Sequence, residues 1–343
     1  MAVAEELRPG AHTPLTRRVA RSPGARLAGR RLLAAIPVLW GVTLLTYVVM
    51  NLLPGDAAQE LLGANATPAE VHQLEIQLHL NEPFWVRYGH WLGGLFHGDL
   101  GTSLASGQNV TTILGERLPV TGELLIYAFV ASIALAVGLA VLAARKPDGL
   151  ADRFSITVSM TGLSVAPYVL ALILIYVFAV RLRWFPAIGY TALTQDPGAN
   201  LRSLTLPAAA IGFPLFSVYT RLLRADIVEQ MQREDYIVTA RAKGIKPWRI
   251  LLRHALPNSL FGLITLVGLN LGTLVGAVAI IEPIFSLPGV GAILISSINN
   301  HDVPVVEGIV VVFAVVVVLA NLLTDLLYTV LDPRITYDER SAS

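Results

Sequence analysis

Few residues in this chain have the types and spacing needed for chemistry. Gly24 and Gly29 have the glycine spacing of a phosphate-binding loop, but the lysine and the hydroxyl that would hold phosphate and magnesium are missing. The chain has no cysteine, no HExxH or GxSxG pattern, and no carboxylate or cysteine spacing beside its histidines that suits a metal. We therefore expect no catalytic, cofactor or metal site, and no enzymatic activity.

The composition indicates a protein that lies in lipid. Hydrophobic residues make up 54% of the 343 residues and charged residues only 14%, whereas a soluble domain carries about 25% charged residues. A mean hydropathy of +0.63 agrees with this deficit. The net charge of +1 gives no overall field that would attract nucleic acid. Soluble classes are thereby excluded, and the partner predicted first is the bilayer.

Six apolar runs are long enough to cross about 30 Å of hydrocarbon as helices, which predicts an all-α integral membrane protein. The runs cover residues 32–53, 118–144, 154–180, 203–220, 255–281 and 305–330. Their acidic residues, Glu123, Glu307 and Asp325, lie towards the ends. A seventh run, 285–300, is too short and too polar to span, so we expect a re-entrant or interfacial segment there.

The basic residues predict the orientation. Twenty of the 25 Lys and Arg residues fall before the first run, in the connections 145–153 and 221–253, or after the last run. Basic segments stay in the cytoplasm, so both termini should be cytoplasmic and the loops 54–117, 181–202 and 282–304 external. We expect a disordered basic tail (1–31), the first span with a long external loop (32–117), a five-helix core (118–331) and a short tail (332–343).

The long external loop should contain helices of its own. Thr67, Pro68 and Glu70 form the pattern of a capping box at the start of a short helix. Downstream, an aromatic stripe recurs at helical spacing, formed by Phe84, Tyr88, Trp91, Leu92 and Leu95. The stripe suits a helix at the membrane interface, and contact with a ligand is the alternative.

The connection 221–254 predicts a cytoplasmic elbow. Good helix formers without Gly or Pro should extend the fourth span to Lys243; Gly244 suits a left-handed C-cap, and Pro247 can open a second helix. Such an elbow would expose Ala240 and Ala242, small residues able to enter a groove on another protein. The alternative is a basic hairpin that lies against lipid headgroups.

This segment resembles the EAA loop of binding-protein-dependent ABC importer permeases. In that loop a glycine, here Gly244, is separated by nine residues from a segment that ends in Leu-Pro, here 254–257. Residues 235–244 are similar to the peptide-transport branch, although Val238 and Thr239 depart from the general pattern. Further motifs at 53–56, 98–103, 282–291 and 331–334 resemble the B-type subunit of the dipeptide, oligopeptide and nickel group.

The resemblance implies a type I ABC importer permease in a bacterial or archaeal cytoplasmic membrane. Its expected partners are a C-type permease, two ATP-binding cytoplasmic subunits and an external solute-binding protein. Di- or oligopeptides are the expected cargo, with nickel chelates, glutathione or oligosaccharides as alternatives. The residues expected to couple the permease to the ATPase are Asp235, Thr239, Ala240, Arg241, Ala242, Lys243, Gly244 and Pro257.

The transport pathway is expected along the fifth span and its outer end. Gly268, Gly272 and Gly276 form a ridge that allows close helix packing or lines the pathway, and Asn270 is either a partner for another helix or a pathway residue. Glu282, Pro288 and Gly289 are the residues expected at an external gate. An ion-coupled secondary transporter is the rival class, but it usually needs ionisable residues deep in the membrane.

Overall fold

The computed structural model describes residues 23–52, 57–62, 66–77 and 81–331. These residues form helices and no strands, and their only β-type pairing is an isolated bridge between Thr102 and Asn109. The all-α prediction is thereby confirmed. The helices are α1 (Pro23–Leu52), α2 (Ala57–Leu62), α3 (Pro68–Gln77), α4 (Phe84–Phe96), α5 (Val110–Arg145), α6 (Leu150–Ser164), α7 (Pro167–Leu174), α8 (Pro197–Arg233), α9 (Asp235–Ala242), α10 (Pro247–Ile250), α11 (Leu256–Ile284), α12 (Val290–Asn299) and α13 (Val303–Leu331). The π-helical turns Ile175–Arg181 and Leu251–Ala255 follow α7 and α10.

The two ends of the chain lie partly outside this description. The disordered tail was predicted to extend to residue 31, but α1 already begins at Pro23. Proline suits the first turn of a helix. The remainder of that tail, 1–22, and the predicted C-terminal tail, 332–343, lie outside the described residues.

Five helical segments among the described residues are long and apolar enough to cross a membrane: Gly29–Leu52, Val110–Arg145, Pro197–Arg233, Pro247–Asn270 and Val303–Leu326. The third predicted span, 154–180, is instead a pair of helices, Leu150–Ser164 and Pro167–Arg181, with a bend of 109° between them. The expectation of one uninterrupted span over 154–180 was therefore wrong. Pro167 explains the break, because it holds the preceding Ala166 in an extended conformation.

Close contacts of α8 with α5 and α6 form the centre of the structure. A Cβ added to Gly212 of α8 would lie 2.9 Å from the carbonyl oxygen of Ala128, so the backbones of α8 and α5 nearly touch. Gly162 of α6 similarly leaves room for Ser217. Pro207 and Pro214 both lie inside α8, which continues through them as one helix.

The connection between α1 and α5 contains the helices that its sequence predicts. The backbone N–H of Thr67 donates to Glu70 Oε2 at 2.8 Å, and the Glu70 N–H donates back to Thr67 Oγ1 at 3.4 Å, which confirms the capping box. These bonds from Thr67 lower the pKa of Glu70. The aromatic stripe on α4 packs against α1, where Tyr88 meets Tyr47 at a ring-centroid distance of 5.2 Å.

The first and last spans pack together. An ion pair of 2.8 Å joins Arg31 to Asp325. Glu307 lies on α13 with no exposed surface, and within the described residues neither of its carboxyl oxygens has a hydrogen-bond partner. A buried carboxyl group without a partner costs free energy, so Glu307 lowers the stability of the isolated chain.

Candidate coupling elbow and outer mouth

The elbow begins with a break between two helices that the sequence does not predict. Helix α8 ends at Arg233, Glu234 is extended (φ −85°, ψ 129°), and α9 then runs from Asp235. The prediction of one helix as far as Lys243 was wrong, although no Gly or Pro stands in that stretch. The break turns Ile237 into the apolar core, where it is 1% exposed, so tertiary packing outweighs helix propensity.

Ala240 lies in the same apolar core and is only 5% exposed. The prediction that it forms an exposed knob was therefore wrong. Ala242 is exposed as expected. The exposed surface around the turn consists of Asp235, Val238, Thr239, Arg241, Ala242, Lys243 and Gly244.

The turn itself is the one that Gly244 predicts. Gly244 has φ +74°, a conformation that a residue with a side chain adopts only under strain. The N–H of Ile245 donates to the carbonyl of Ala240 at 3.2 Å, and that of Gly244 donates to Arg241 at 2.9 Å. These two bonds form a Schellman motif, and Pro247 opens α10 as expected.

Side-chain bonds fasten α9 to the helices on either side. The Arg241 guanidinium donates to the backbone carbonyl of Met231 at 2.7 Å. The Tyr236 hydroxyl donates to Gln230 and accepts a bond of 2.9 Å from the amide of Asn258 at the start of α11. The elbow is thus held by both α8 and α11.

Pro257 accounts for the widened turn that leads from α10 into α11. It has no N–H, and its ring would crowd the carbonyl of Arg253 in a regular helix, so the chain forms a π-helical turn there. Helical spacing places four apolar side chains of this arm on one face; Leu251 and Ala255 are buried there, whereas Trp248 and Leu252 are exposed.

The three glycines of the fifth span have different surroundings. A Cβ on Gly268 would lie 2.2 Å from Thr324 Cγ2, so Gly268 allows close contact with α13. Gly272 has only an ordinary contact at 3.8 Å, and Gly276 has open space. Both Gly272 and Gly276 are exposed on the isolated chain. The Asn270 amide donates to the Leu266 carbonyl of its own helix at 2.8 Å.

Glu282 is buried near the C-terminal end of α11. Its carboxylate has no exposed surface and accepts bonds from the N–H groups of Gly291 at 2.7 Å and Ala292 at 3.1 Å. Thr121 of α5 donates to the same carboxylate at 2.6 Å and accepts the N–H of Val290 at 2.9 Å. Glu282 therefore caps α12 from another helix and does not lie in water.

Gly289 makes this cap possible. A Cβ at this position would lie 2.1 Å from Glu282 Oε1. Pro288 directly precedes Gly289 and is half-buried. The structure thus brings Glu282, Pro288 and Gly289 together around the first turn of α12.

A second buried carboxylate holds the connection between α1 and α5. Asp302 accepts the Ser103 hydroxyl at 2.5 Å and the N–H of Leu104 at 3.0 Å. Sequence reasoning missed this contact, since Asp302 and Ser103 are 199 residues apart. The motif at 98–103 was recognised but gave no indication of its partner. Glu282 thus caps the start of α12, and Asp302, just after the end of α12, ties the chain there to Ser103 and Leu104.

Two family models match the chain. The model of the binding-protein-dependent transport system inner membrane component matches residues 136–337, and that of the N-terminal part of such a component matches residues 25–125. The chain belongs to this family. The elbow, the spans around it and the cap of α12 are therefore parts of a membrane component of a transport system.

The match to named relatives in this family covers nearly the full length of each relative. A putative peptide transport system permease protein of Brucella abortus is 38% identical over 309 residues, which are 90% of this chain and 98% of that protein. The dipeptide transport system permease protein DppB of Alkalihalophilus pseudofirmus is 37% identical, with 90% and 99% covered. A glutathione transport system permease protein of Pectobacterium atrosepticum is 33% identical, with 90% and 98% covered.

Proposed function

We propose that this chain is the permease subunit of an ATP-driven importer of di- or oligopeptides. The relatives named for peptides are 35–38% identical to it, and the relative named for glutathione, itself a small peptide, is 33% identical. In this proposal the chain forms the pathway with a second permease and hydrolyses no ATP itself. An external solute-binding protein delivers the cargo, and both termini lie in the cytoplasm.

The observation that carries the proposal is the geometry of the elbow. The turn at Gly244 is rigid, because its Schellman bonds and the buried Ile237 and Ala240 fix it. Its exposed residues Thr239, Ala242 and Lys243 stand clear of the core. A rigid projection of this kind can enter a groove on an ATPase subunit and pass on its movement.

The pathway is assigned to the exposed side of the fifth span. Gly272 and Gly276 leave an open strip there, and two permeases that meet along such strips would enclose a passage. Asn270 adds a polar group beside the strip. Glu282 and Gly289 would hold the outer end of that passage in shape by fixing α12.

The cargo is tested by uptake into vesicles that carry the whole transporter with its binding protein. A labelled mixture of di- and tripeptides should enter in the presence of ATP, and unlabelled peptides should compete better than glutathione, a nickel chelate or an oligosaccharide. Stronger competition by one of those compounds would reassign the cargo. Uptake that follows an ion gradient without ATP would instead support a secondary transporter.

A further inference from the structure

The corner between α5 and α6, residues 145–152, is clamped by both arms of the elbow. On one side, the Arg145 guanidinium at the end of α5 lies 5.5 Å from the ring centroid of Trp248, which follows the turn of the elbow in α10. On the other side, Asp152 in the first turn of α6 pairs with Arg224 of α8, which precedes the turn. The corner therefore contacts the chain both before and after the elbow.

The pair of Asp152 and Arg224 is built for stiffness. The Arg224 Nε and Nη2 atoms donate to the two Asp152 oxygens at 2.7 and 2.8 Å, which is a bidentate contact. The Asp152 side chain is only 1% exposed, and it also accepts the N–H of Asp148 at 2.9 Å. A forked guanidinium that meets a buried carboxylate fixes both orientation and distance, unlike the exposed pair of Glu229 and Arg233.

The corner has little freedom to absorb movement. Its turn is short, Asp148 has φ +64°, and the Gly149 N–H donates to the Lys146 carbonyl at 3.0 Å. Arg224 is thus the contact through which α8 would displace α6, and Trp248 is the contact through which α10 would displace α5.

We propose that this clamped corner carries the movement of the elbow to the second and third spans, and that Asp152 and Arg224 are positioning residues for transport. The inference rests on the proposed function, because it presumes an elbow that an ATPase moves. It adds to that function a transmission route outside the elbow. Without the clamp, the corner and the first turn of α6 would be free to lag behind α8, while α5 and α6 still pack on α8 farther from the corner, at Ala128 and Gly162.

The test measures a distance in the intact transport complex. Spin labels are attached at Leu150→Cys in α6 and Glu229→Cys in α8, which are exposed positions in a chain without native cysteine. Distances are recorded without nucleotide and after trapping with ATP and vanadate. In the otherwise native chain the distribution should stay narrow and unchanged, because α6 and α8 move as one body.

In Arg224→Lys the charge remains but the fork is lost, and the distribution should broaden or shift on trapping. Transport of the peptide mixture per ATP hydrolysed should fall about tenfold, within the range of mutations that weaken coupling between sites. Exchange of the two charges, Asp152→Arg with Arg224→Asp, should restore part of the lost transport per ATP hydrolysed. Arg153→Gln, which removes a neighbouring exposed charge, should behave like the native chain.

Three outcomes would overturn the inference: a native distance that changes on trapping, an Arg224→Lys distance that does not change, or variants that lower ATP hydrolysis and transport in equal proportion. The last result would show that the pair serves only assembly. Failure of the proposed function has a different signature, because then no ATPase subunit would co-purify and Gly244→Asp would have no effect.

Discussion

The contact of Thr121 with Glu282 allows a direct test of how α12 is held against α5. One hydroxyl donates to the Glu282 carboxylate at 2.6 Å and accepts the Val290 N–H at 2.9 Å, and both partners are buried. Thr121→Val keeps the shape of the side chain but removes both bonds. Thr121→Ser keeps the hydroxyl and is the matched control.

The expected loss of stability follows from the two atoms that lose their hydrogen bond to Thr121, Glu282 Oε1 and the Val290 N–H. Each buried polar group that loses its hydrogen bond costs about 1–3 kcal/mol, so Thr121→Val should destabilise the chain by about 2–6 kcal/mol. With a typical unfolding entropy per residue, this corresponds to a decrease of about 3–8 °C in the melting temperature of a chain of this length. Thr121→Ser should lose only a methyl contact.

The assay is thermal unfolding of the purified protein in detergent, followed by tryptophan fluorescence and by loss of the monodisperse peak on size exclusion. Thr121→Val should melt clearly below Thr121→Ser. Equal melting temperatures for the two variants would refute the reasoning, because they would show that the hydroxyl does not hold α12 to α5.

Three other predictions follow from the structure. Cysteine at position 75, in place of Glu75, should be labelled by an impermeant reagent from outside, and cysteine in place of Lys243 only from inside; reversed labelling would overturn the topology. Gly268→Ala should cost about 1–3 kcal/mol because its Cβ would overlap α13, whereas Gly276→Ala, which has open space, should leave the melting temperature unchanged. Glu307→Met should raise the melting temperature by removing a buried carboxyl group without a partner, and a lower value would show that the carboxyl group makes a stabilising contact.

Local features were predictable from sequence. The capping box of Thr67 and Glu70 depends on residues three apart, and the turn at Gly244 depends on a backbone conformation that favours glycine. The number and length of the apolar runs also follow from the order of the hydrophobic residues in the sequence. The break before Pro167 could have been found, since proline restricts the residue that precedes it.

Features that depend on distant parts of the chain were not predictable. The burial of Ala240 results from packing in the apolar core, and nothing in its neighbouring residues shows it. Glu282 was singled out, but its role as a cap needs Thr121, which is 161 residues away. The pair of Asp152 and Arg224 likewise joins residues 72 apart, so only the fold reveals it.

The central claim is that the elbow of this permease docks on a separate ATPase. The most direct measurement is purification of the tagged chain from its native membrane in mild detergent, with mass spectrometry of the bound proteins and an ATPase assay of the eluate. The native chain should bring down a second permease and ATP-hydrolysing subunits, and Gly244→Asp should retain the permease but lose the ATPase. A native chain that purifies without ATPase activity, or a Gly244→Asp chain that keeps it in full, would contradict the account.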